Sequence, residues 1–484
     1  MSPREVESRI AGLGEVPPED WEATPESVRR LVVTLLEQLE RIKKLEQEVA
    51  DLKEKLGANS RNSSLPPSSD RQPPKTRAER RRSERKRGAQ PGHEGKFREL
   101  LPPEEVDRIV DCPPDRCQCG GRVRVDREQM ERRQVWELPA VSTEVTEYRL
   151  YWGECERCEN LVCGELPPEA GGEGMLGARA MAVVALLTGK FRLSKRAATE
   201  ALQNLFGLEV CDGTICNTEQ RVAAVLEQPV EEAKAYVQAQ PVVHADETGW
   251  RLGNKRAWLW TALTATVSVF VLRTSRGAKI AKELLGEAFR GILVSDRYSA
   301  YSWVAAAHRQ VCWSHLLRDF EKIAERGGES AEIGNALLFW AAEMFSLWDR
   351  FKTAAISRAT LRQNMAPIRS MIIEVLELGT ACAHSKTANT CREILGLRRA
   401  LWTFVRVEGV EPTNNAAERT IRPAVMWRKT SFGTDSEAGA RFVERILTVT
   451  ATCRQQGRNP LEFIHHAIIA AFGYRSAPSL LPAT

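Results

Sequence analysis

The 484-residue chain lacks two kinds of apolar segment. It contains no run of about 18 apolar residues, the length needed for a transmembrane helix, so we expect no membrane partner. Its first eight residues, M-S-P-R-E-V-E-S, lack the apolar core of a secretory signal peptide. We therefore expect a cytoplasmic, nucleoid-associated protein. In that compartment the twelve cysteines would be thiols or metal ligands rather than disulfides.

The net charge is small, at +5, but it is unevenly distributed. Residues 71–96 hold ten Lys or Arg against three Glu, enough local charge to attract a phosphate backbone. This block predicts a DNA-binding arm, and a solvated, disordered tether is the compatible alternative. Its candidate DNA contacts are Arg80, Arg81, Arg82, Arg85, Lys86 and Arg87.

An amphipathic segment follows Thr24-Pro25, a pair that favours the start of a helix. Its apolar residues recur with heptad spacing, with Gln38 as the one break: Leu31, Leu35, Ile42, Leu45, Val49, Leu52 and Leu56. About four heptads are close to the minimum for a coiled coil. The segment therefore predicts a homo-oligomer, most simply a dimer, and the alternative is a helix packed on its own protein.

Six cysteines cluster between residues 112 and 163. Cys155 and Cys158 have the spacing that lets two thiolates face one tetrahedral Zn²⁺. The first half is less regular, and we expect Cys119 with either Cys112 or Cys117. Residues 132–139 and 144–152 alternate in polarity, which predicts strands. A zinc ribbon-like β module is the resulting prediction, with small buried thiols in a hairpin core as the alternative.

Residues 176–226 predict helices separated by a Gly-containing turn, the second helix beginning near Asp212. Such a pair is typical of a helix-turn-helix DNA-binding unit. A structural helical hairpin fits equally well, because the second helix offers few base-reading donors besides Arg221.

Two apolar, strand-like runs each end in an aspartate. Val242 and Val243 precede Asp246, and residues 291–295 precede Asp296. A third acid, Glu418, lies in a segment that favours a helix. Three such carboxylates could hold two Mg²⁺ (or Mn²⁺) ions about 3.5–4 Å apart, the arrangement that cleaves phosphodiesters. Aspartates after strands are also common as turn residues or helix caps.

The runs around these acids predict strands at 242–246, 256–264, 267–273, 292–296 and 308–313, a helix at 278–289 and a short helix before the last strand. This β-β-β-α-β-α-β order is ribonuclease-H-like, with the first and fourth strands adjacent. That adjacency would bring Asp246 and Asp296 together. The 122 positions between Asp296 and Glu418 (418 − 296 = 122) predict an all-helical insertion.

Basic and amide residues near the acids are candidate DNA contacts. His315 and Arg318 share one helix face, as do Glu418 and Arg422. The alternatives are a structural histidine, a surface arginine and a surface salt bridge worth under about 1 kcal/mol. The full candidate set is His315, Arg318, Asn414, Asn415, Arg422, Arg428 and Lys429.

Four motifs resemble the catalytic core of bacterial insertion-sequence transposases of the family numbered 66: H-A-D-E-T-G-W-R, V-S-D-R-Y-S-A-Y, C-W-S-H-L-L-R-D-F and N-N-A-A-E-R-T-I-R-P. The resemblance implies a ribonuclease-H-like DDE enzyme with a zinc-finger-type domain. It implies Asp246, Asp296 and Glu418 as the catalytic acids and double-stranded DNA, both element ends and target, as the partner. Accessory proteins encoded by the same element often assist such enzymes.

The sequence as a whole predicts a multidomain α+β protein. Its function would be Mg²⁺-dependent cleavage at terminal inverted repeats, followed by strand transfer. The alternatives are a domesticated zinc-containing DNA-binding protein with an inactive core, and a structure-specific nuclease. The predicted divisions are a coiled-coil segment (1–58), a basic linker (59–98), a zinc-binding module (99–170), a helix-turn-helix-like domain (171–238), the first part of the catalytic core (239–325), a helical insertion (326–409), and the last helices of the core with the tail (410–484).

Overall fold

The computed structural model describes residues 18–59, 62, 98–126, 130–167, 170 and 174–482. It is a mixed α/β structure, 54% helical with two sheets in its described part, which agrees with a multidomain α+β protein. The chain forms two compact units. The first combines residues up to Arg71 with Glu232–Gly433 and the last four residues; the second combines Gln72–Glu231 with Thr434–Leu480. The predicted basic arm, including Arg80 to Arg87, lies outside the described residues.

The N-terminal helices are α1 (Pro18–Ala23) and α2 (Glu26–Leu56). Pro25 is the residue before α2 rather than its first helical residue, so the helix begins one position later than predicted. The seven heptad residues form a stripe along α2 that is 48–64% exposed. No described part of the chain therefore covers this stripe, and the alternative of a helix packed on its own protein through this face does not hold within the described residues.

The cysteine-rich region contains a short antiparallel hairpin, β1 (Trp152–Glu154) and β2 (Leu161–Cys163). The strands predicted at 132–139 and 144–152 are wrong, apart from Trp152 at the start of β1. Alternating polarity favours a strand only where its apolar face has something to pack against. Here Val135 is 79% exposed and Leu138 is 89% exposed, so that partner is missing from the described residues.

Three helices follow: α3 (Ala178–Ala185, continued by a π turn at Leu186–Lys190), α4 (Lys195–Phe206) and α5 (Asp212–Val225). Ser194 caps α4 by accepting from the backbone N–H of Ala197. Gly207 ends α4 in the left-handed conformation, with φ of 64°, which glycine adopts without steric cost. The predicted helix, glycine turn and second helix are all present, and α4 packs against α5.

The central sheet follows α6 (Glu227–Gln238). Its first three strands, β3 (Val242–Leu252), β4 (Lys255–Leu263) and β5 (Ser268–Arg273), are antiparallel. Helix α7 (Ala278–Leu285) leads to β6 (Ile292–Ser295) and β7 (Arg309–Val311). The sheet order is β5-β4-β3-β6-β7, with β6 parallel to both neighbours, so the predicted adjacency of the first and fourth strands is confirmed.

Three details of this sheet differ from prediction. Strand β3 runs on to Leu252 because it stays paired with β4, so Asp246 lies within the strand and not at its end. Helix α7 stops at Leu285 because Gly286 has φ of 85°, which breaks the helix. Two 3₁₀ turns, Ser299–Tyr301 and Ala306–His308, replace the short helix expected before β7.

Helix α8 (Trp313–Ala324) follows β7. The residues predicted as an all-helical insertion, 326–409, contain α9 (Gly328–Lys352), α10 (Arg358–Thr380), α11 (Ser385–Gly396) and α12 (Thr403–Arg406). Buried residues of these helices form one apolar core with Val294 of β6 and Val311 of β7. Apolar burial at about 25 cal/mol per Å² is the main force holding the insertion to the sheet.

The chain ends with α13 (Asn415–Ser431), α14 (Glu437–Gln455) and α15 (Pro460–Phe472). Helix α13 packs against β3 and β4 of the first unit. We expected the final helices to pack on the catalytic core as well. Instead α14 packs against α5, and α15 against α3, within the second unit. Among the described residues, every helix is too short or too polar to cross a membrane.

Candidate active site

The register of the central sheet places the two predicted aspartates side by side. Strands β3 and β6 pair in parallel at Val242 with Ile292, and the pairing continues to His244 with Val294. Asp246 and Asp296 each lie two residues beyond this last pair. Parallel strands advance together along the sheet. Asp246 and Asp296 are separated by the same 50 positions as the paired residues (292 − 242 = 296 − 246 = 50), so the two acids lie side by side just beyond the last paired residues.

Three other carboxyl groups lie close enough to Asp246 to affect its ionisation. Burial raises the pKa of its carboxyl well above the ordinary value of 3.8, and repulsion from Glu247, Asp296 and Glu418 raises it further. The predicted acids thus lie near enough to interact. In the described structure, two groups of three His, Cys, Asp or Glu side chains have all their ligand atoms within 4.8 Å of one another. Asp246, Asp296 and Glu418 do not form such a group together, although Glu418 belongs to one of the two.

The turn that carries Asp296 is held at both faces. Asp296 Oδ1 accepts a hydrogen bond from the backbone N–H of Tyr298 at 2.9 Å. On the other face Arg309 of β7, 2% exposed, donates to the Asp296 carbonyl at 3.0 Å and to Ser295 Oγ at 3.3 Å. A buried cation with two acceptors is strongly constrained, so the backbone at Asp296 is fixed.

Glu418 lies in the first turn of α13 and faces the start of α8. Its Oε1 is 3.7 Å from His315 Nδ1 and 3.6 Å from an Arg318 Nη. Both Oε1 and Nδ1 are buried atoms without a hydrogen-bond partner in the described structure. Burial lowers the pKa of His315, and the charge of Arg318 lowers it further, which favours the neutral, metal-binding imidazole. Glu418, His315 and Cys312 form one of the two compact ligand groups.

Asn414, one of the predicted DNA contacts, is only 1% exposed and connects three parts of the chain. Its Nδ2 donates to the carbonyl of Ala245 at 2.8 Å, and its Oδ1 lies 3.0 Å from His244 Nδ1. Its backbone N–H donates to Cys312 Sγ at 3.1 Å. Asn414 thus joins the start of α13 to β3, next to Asp246, and to the start of α8.

The remaining predicted DNA contacts differ in their surroundings. Arg428 donates to the Gly249 carbonyl and to Thr248 Oγ1 at 3.4 Å, on β3. Asn415 Oδ1 accepts from Ser314 Oγ at 3.2 Å. Arg422 and Lys429 are exposed on α13. The described ion contacts of Glu418 are with His315 and Arg318 rather than with Arg422, four residues along its own helix.

Glu247 was not among the predicted site residues, although it is one of the most constrained groups in the region. Its side chain is 1% exposed. Its Oε1 accepts from Arg276 at 2.7 and 3.1 Å, and its Oε2 accepts from Tyr301 Oη at 2.7 Å. Burial raises the pKa of Glu247, and repulsion from Asp296 raises it further. The available signal was a second acid directly after Asp246, next to the end of a predicted buried strand, where an ionised group needs partners.

The cysteines form two separate turns. Cys117 and Cys119 lie in a turn closed by a bridge between Arg116 and Arg122, and Cys155 and Cys158 lie in the turn after β1. In each turn a backbone hydrogen bond lowers the pKa of one thiol. The backbone N–H of Cys119 acts on the Cys117 thiol, and the backbone N–H of Arg157 acts on the Cys155 thiol. No three of the six thiols in this described region lie within 4.8 Å of one another.

Comparison with known proteins gives two family matches. Residues 173–442 match the model of the Transposase IS66 family, and residues 15–99 match a family of unknown function, DUF6444. The first match covers more than half of the chain and includes all three acids.

Several proteins of Sinorhizobium fredii, each described as uncharacterized, are similar to the chain. Protein y4qI is 32% identical over 238 residues, 44% of this chain and 43% of y4qI. Protein y4hP is 23% identical over 393 residues, 74% of this chain and 70% of y4hP. Protein y4jD is 25% identical over 344 residues, 64% of this chain and 66% of y4jD. The match thus spans less than half the length of the first relative. By the family match and the acidic site that it encloses, the chain belongs to the IS66 family of transposases.

Proposed function

We propose that this protein is a DDE transposase that cleaves DNA at the ends of an insertion sequence and joins the freed 3′ hydroxyl to target DNA. Asp246, Asp296 and Glu418 would hold two Mg²⁺ or Mn²⁺ ions. The observation that carries the proposal is the placement of the three acids: Asp246 and Asp296 lie at the same edge of two adjacent parallel strands, and Glu418 lies on a helix that packs on β3 and β4. Uncompensated carboxylates at close range are costly unless a cation neutralises them.

The side chains present fit a divalent cation. Glu418 Oε1 and His315 Nδ1 are buried and lack partners in the described structure, although both are good ligand atoms. The ions, when bound, would activate the attacking water or 3′ hydroxyl and stabilise the departing oxygen. His315 would add a nitrogen donor beside the three carboxylates, and manganese accepts such a ligand more readily than magnesium does.

The surrounding residues would orient the acids and the DNA. Tyr298 and Arg309 fix the Asp296 turn, and Asn414 fixes the start of the helix that carries Glu418. Arg318, 3.6 Å from Glu418, could contact the phosphate next to the scissile bond. Arg422 and Lys429 on the exposed face of α13 would extend this contact along the backbone of the duplex.

Other parts of the chain would recognise the element ends and pair two copies of the protein. The α4–α5 pair and the cysteine module are the candidates for binding the terminal repeats. Cys117, Cys119, Cys155 and Cys158 would hold one Zn²⁺ that draws the two separate turns together, since each turn presents two thiols and four ligands complete a tetrahedral site. The exposed heptad stripe of α2 would pair with the same stripe of a second chain.

The proposal is tested with purified protein, DNA carrying one element end, and Mg²⁺. Asp246→Asn should lower end cleavage and strand transfer by about 10³-fold or more, because a metal contributes several kcal/mol to such a reaction. Asp349→Asn, at an exposed position of α9, is the matched control and should cleave like the wild type.

Binding and product analysis separate the alternatives. End DNA should bind Asp246→Asn about as well as wild type. Binding without cleavage by either protein would favour a non-catalytic DNA-binding protein, and cleavage without joined strands would favour a nuclease.

A further inference from the structure

The buried carboxylate of Glu247 lies beside the proposed metal site, and both of its oxygens accept hydrogen bonds from protein side chains. Arg276 makes two hydrogen bonds to one oxygen, and Tyr301 makes one to the other. Charge-assisted bonds from a planar guanidinium are strong and directional. The Glu247 side chain is 1% exposed, so water can approach the ion pair only from the side of Arg276, which is 42% exposed. Glu247 therefore serves a structural purpose near the acids.

Both partners of Glu247 contact the turn that carries Asp296. Tyr301 belongs to the 3₁₀ turn just after it, at the end of the D-R-Y-S-A-Y motif, and is fully buried. Arg276 lies over the ring of Tyr298, with its guanidinium carbon 3.9 Å from the ring centroid. Tyr298 Oη donates back to the Arg276 carbonyl at 3.1 Å.

The last link reaches the acid itself. The backbone N–H of Tyr298 donates to Asp296 Oδ1 at 2.9 Å, so the position of Tyr298 sets the rotamer of Asp296. The chain of contacts runs from Glu247 through Arg276 and Tyr298 to Asp296. A second path, through Tyr301, fixes the far end of the same turn.

We propose that Glu247 is a positioning residue for the metal site, which holds the 296–301 turn at two points through Arg276 and Tyr301 and thereby sets the orientation of Asp296. This inference rests on the proposed function, since it assigns Asp296 a cation to bind. Groups that orient metal ligands typically contribute 10–100-fold to metal affinity, and Glu247 should act within that range.

The test measures Mn²⁺ affinity by electron paramagnetic resonance on the full chain without DNA, so it does not depend on activity. Glu247→Ala removes both hydrogen bonds and should raise the Kd for Mn²⁺ about 10- to 100-fold. Tyr301→Phe removes a single hydroxyl, a change that is gentler on the fold, and should raise the Kd about tenfold. Glu247→Gln can still accept from Arg276 and donate to Tyr301, so its affinity should recover toward that of wild type.

Two controls make the result decisive. Glu283→Ala removes the carboxylate of a similar pair, Glu283 with Arg273, which is part-buried between α7 and β5, and it should bind Mn²⁺ like wild type. Asp296→Asn should lose the site. If Asp296→Asn binds Mn²⁺ like wild type, the proposed metal site is wrong and this inference falls with it. If Asp296→Asn loses the site but Tyr301→Phe and Glu247→Ala bind within twofold of wild type, the inference alone is overturned.

Discussion

Among the described residues, the carboxylate of Glu54 joins the last turn of α2 to α8 and to the helices that follow it, and its removal should release that turn. Glu54 lies 2.7 Å from Lys386 Nζ, 3.2 Å from Lys322 Nζ and 3.3 Å from Arg326. Although burial opposes ionisation, these three cations lower the pKa of Glu54 from 4.5 to about 2. Five positions after Val49, Glu54 falls on the side of the helix opposite the heptad stripe.

The size of the effect follows from this shift. A pKa lowered from 4.5 to about 2 corresponds to about 3 kcal/mol at full strength. Glu54 is 23% exposed and at the molecular surface, so solvent and salt reduce the contribution to about 1–2 kcal/mol. Because the folded pKa is the lower one, this stabilisation is complete above pH 4.5 and is lost as the pH falls toward about 2.

Amide hydrogen exchange at neutral pH measures this attachment locally. Glu54→Ala should speed exchange in residues 53–59 about 5- to 30-fold, the factor that 1–2 kcal/mol produces in a local opening equilibrium. Glu37→Ala is the control, because Glu37 is exposed on the same helix and outside the heptad stripe. Unchanged exchange in Glu54→Ala would show that apolar packing, and not the ion pairs, holds the end of α2.

Two further predictions concern the cysteine turns and the buried Asn414. Purified wild-type protein should contain one Zn²⁺ per chain by mass spectrometry. The variants Cys119→Ser and Cys155→Ser should lose this zinc, while Cys112→Ser and Cys163→Ser should keep it. Zinc loss from Cys112→Ser would contradict the assignment. Asn414→Leu leaves the Ala245 carbonyl and His244 unpaired, so it should lower the free energy of unfolding by about 2–4 kcal/mol in urea titrations. Asn415→Ala, at a half-buried site, should cost under about 1 kcal/mol.

The central sheet was predictable because local and long-range signals agree there. The runs around Asp246 and Asp296 are short, apolar and rich in β-branched residues, and the first and fourth strands are adjacent, as predicted. The length of β3 could not be read from that pattern. Polar residues such as Thr248 and Arg251 sit in a strand only because β4 pairs with them over nine positions.

Side-chain partners were the least predictable feature of the site. Glu247 and Tyr301 are 54 positions apart, and only the packing of the 3₁₀ turn against β3 brings them into contact. Asn414 is a polar residue of a kind usually found at the surface, and it lies just before a helix, which suggested a contact with DNA. It is buried because His244, Ala245 and Cys312 together supply partners for its side chain and its backbone N–H, which no single stretch of sequence reveals.

Helix α8 connects two of the features described above. Its first turn carries His315, which faces Glu418. Its last turn carries Lys322, and Arg326 follows two residues after its end; both bind Glu54 of α2. A helix of twelve residues is about 18 Å long and behaves as a stiff rod over that length. Its buried residues, including Leu316 and Phe320, are fixed in the apolar core, so it has little freedom to turn about its axis. A second chain paired with α2 would therefore be held in a defined position relative to the acidic site of the first.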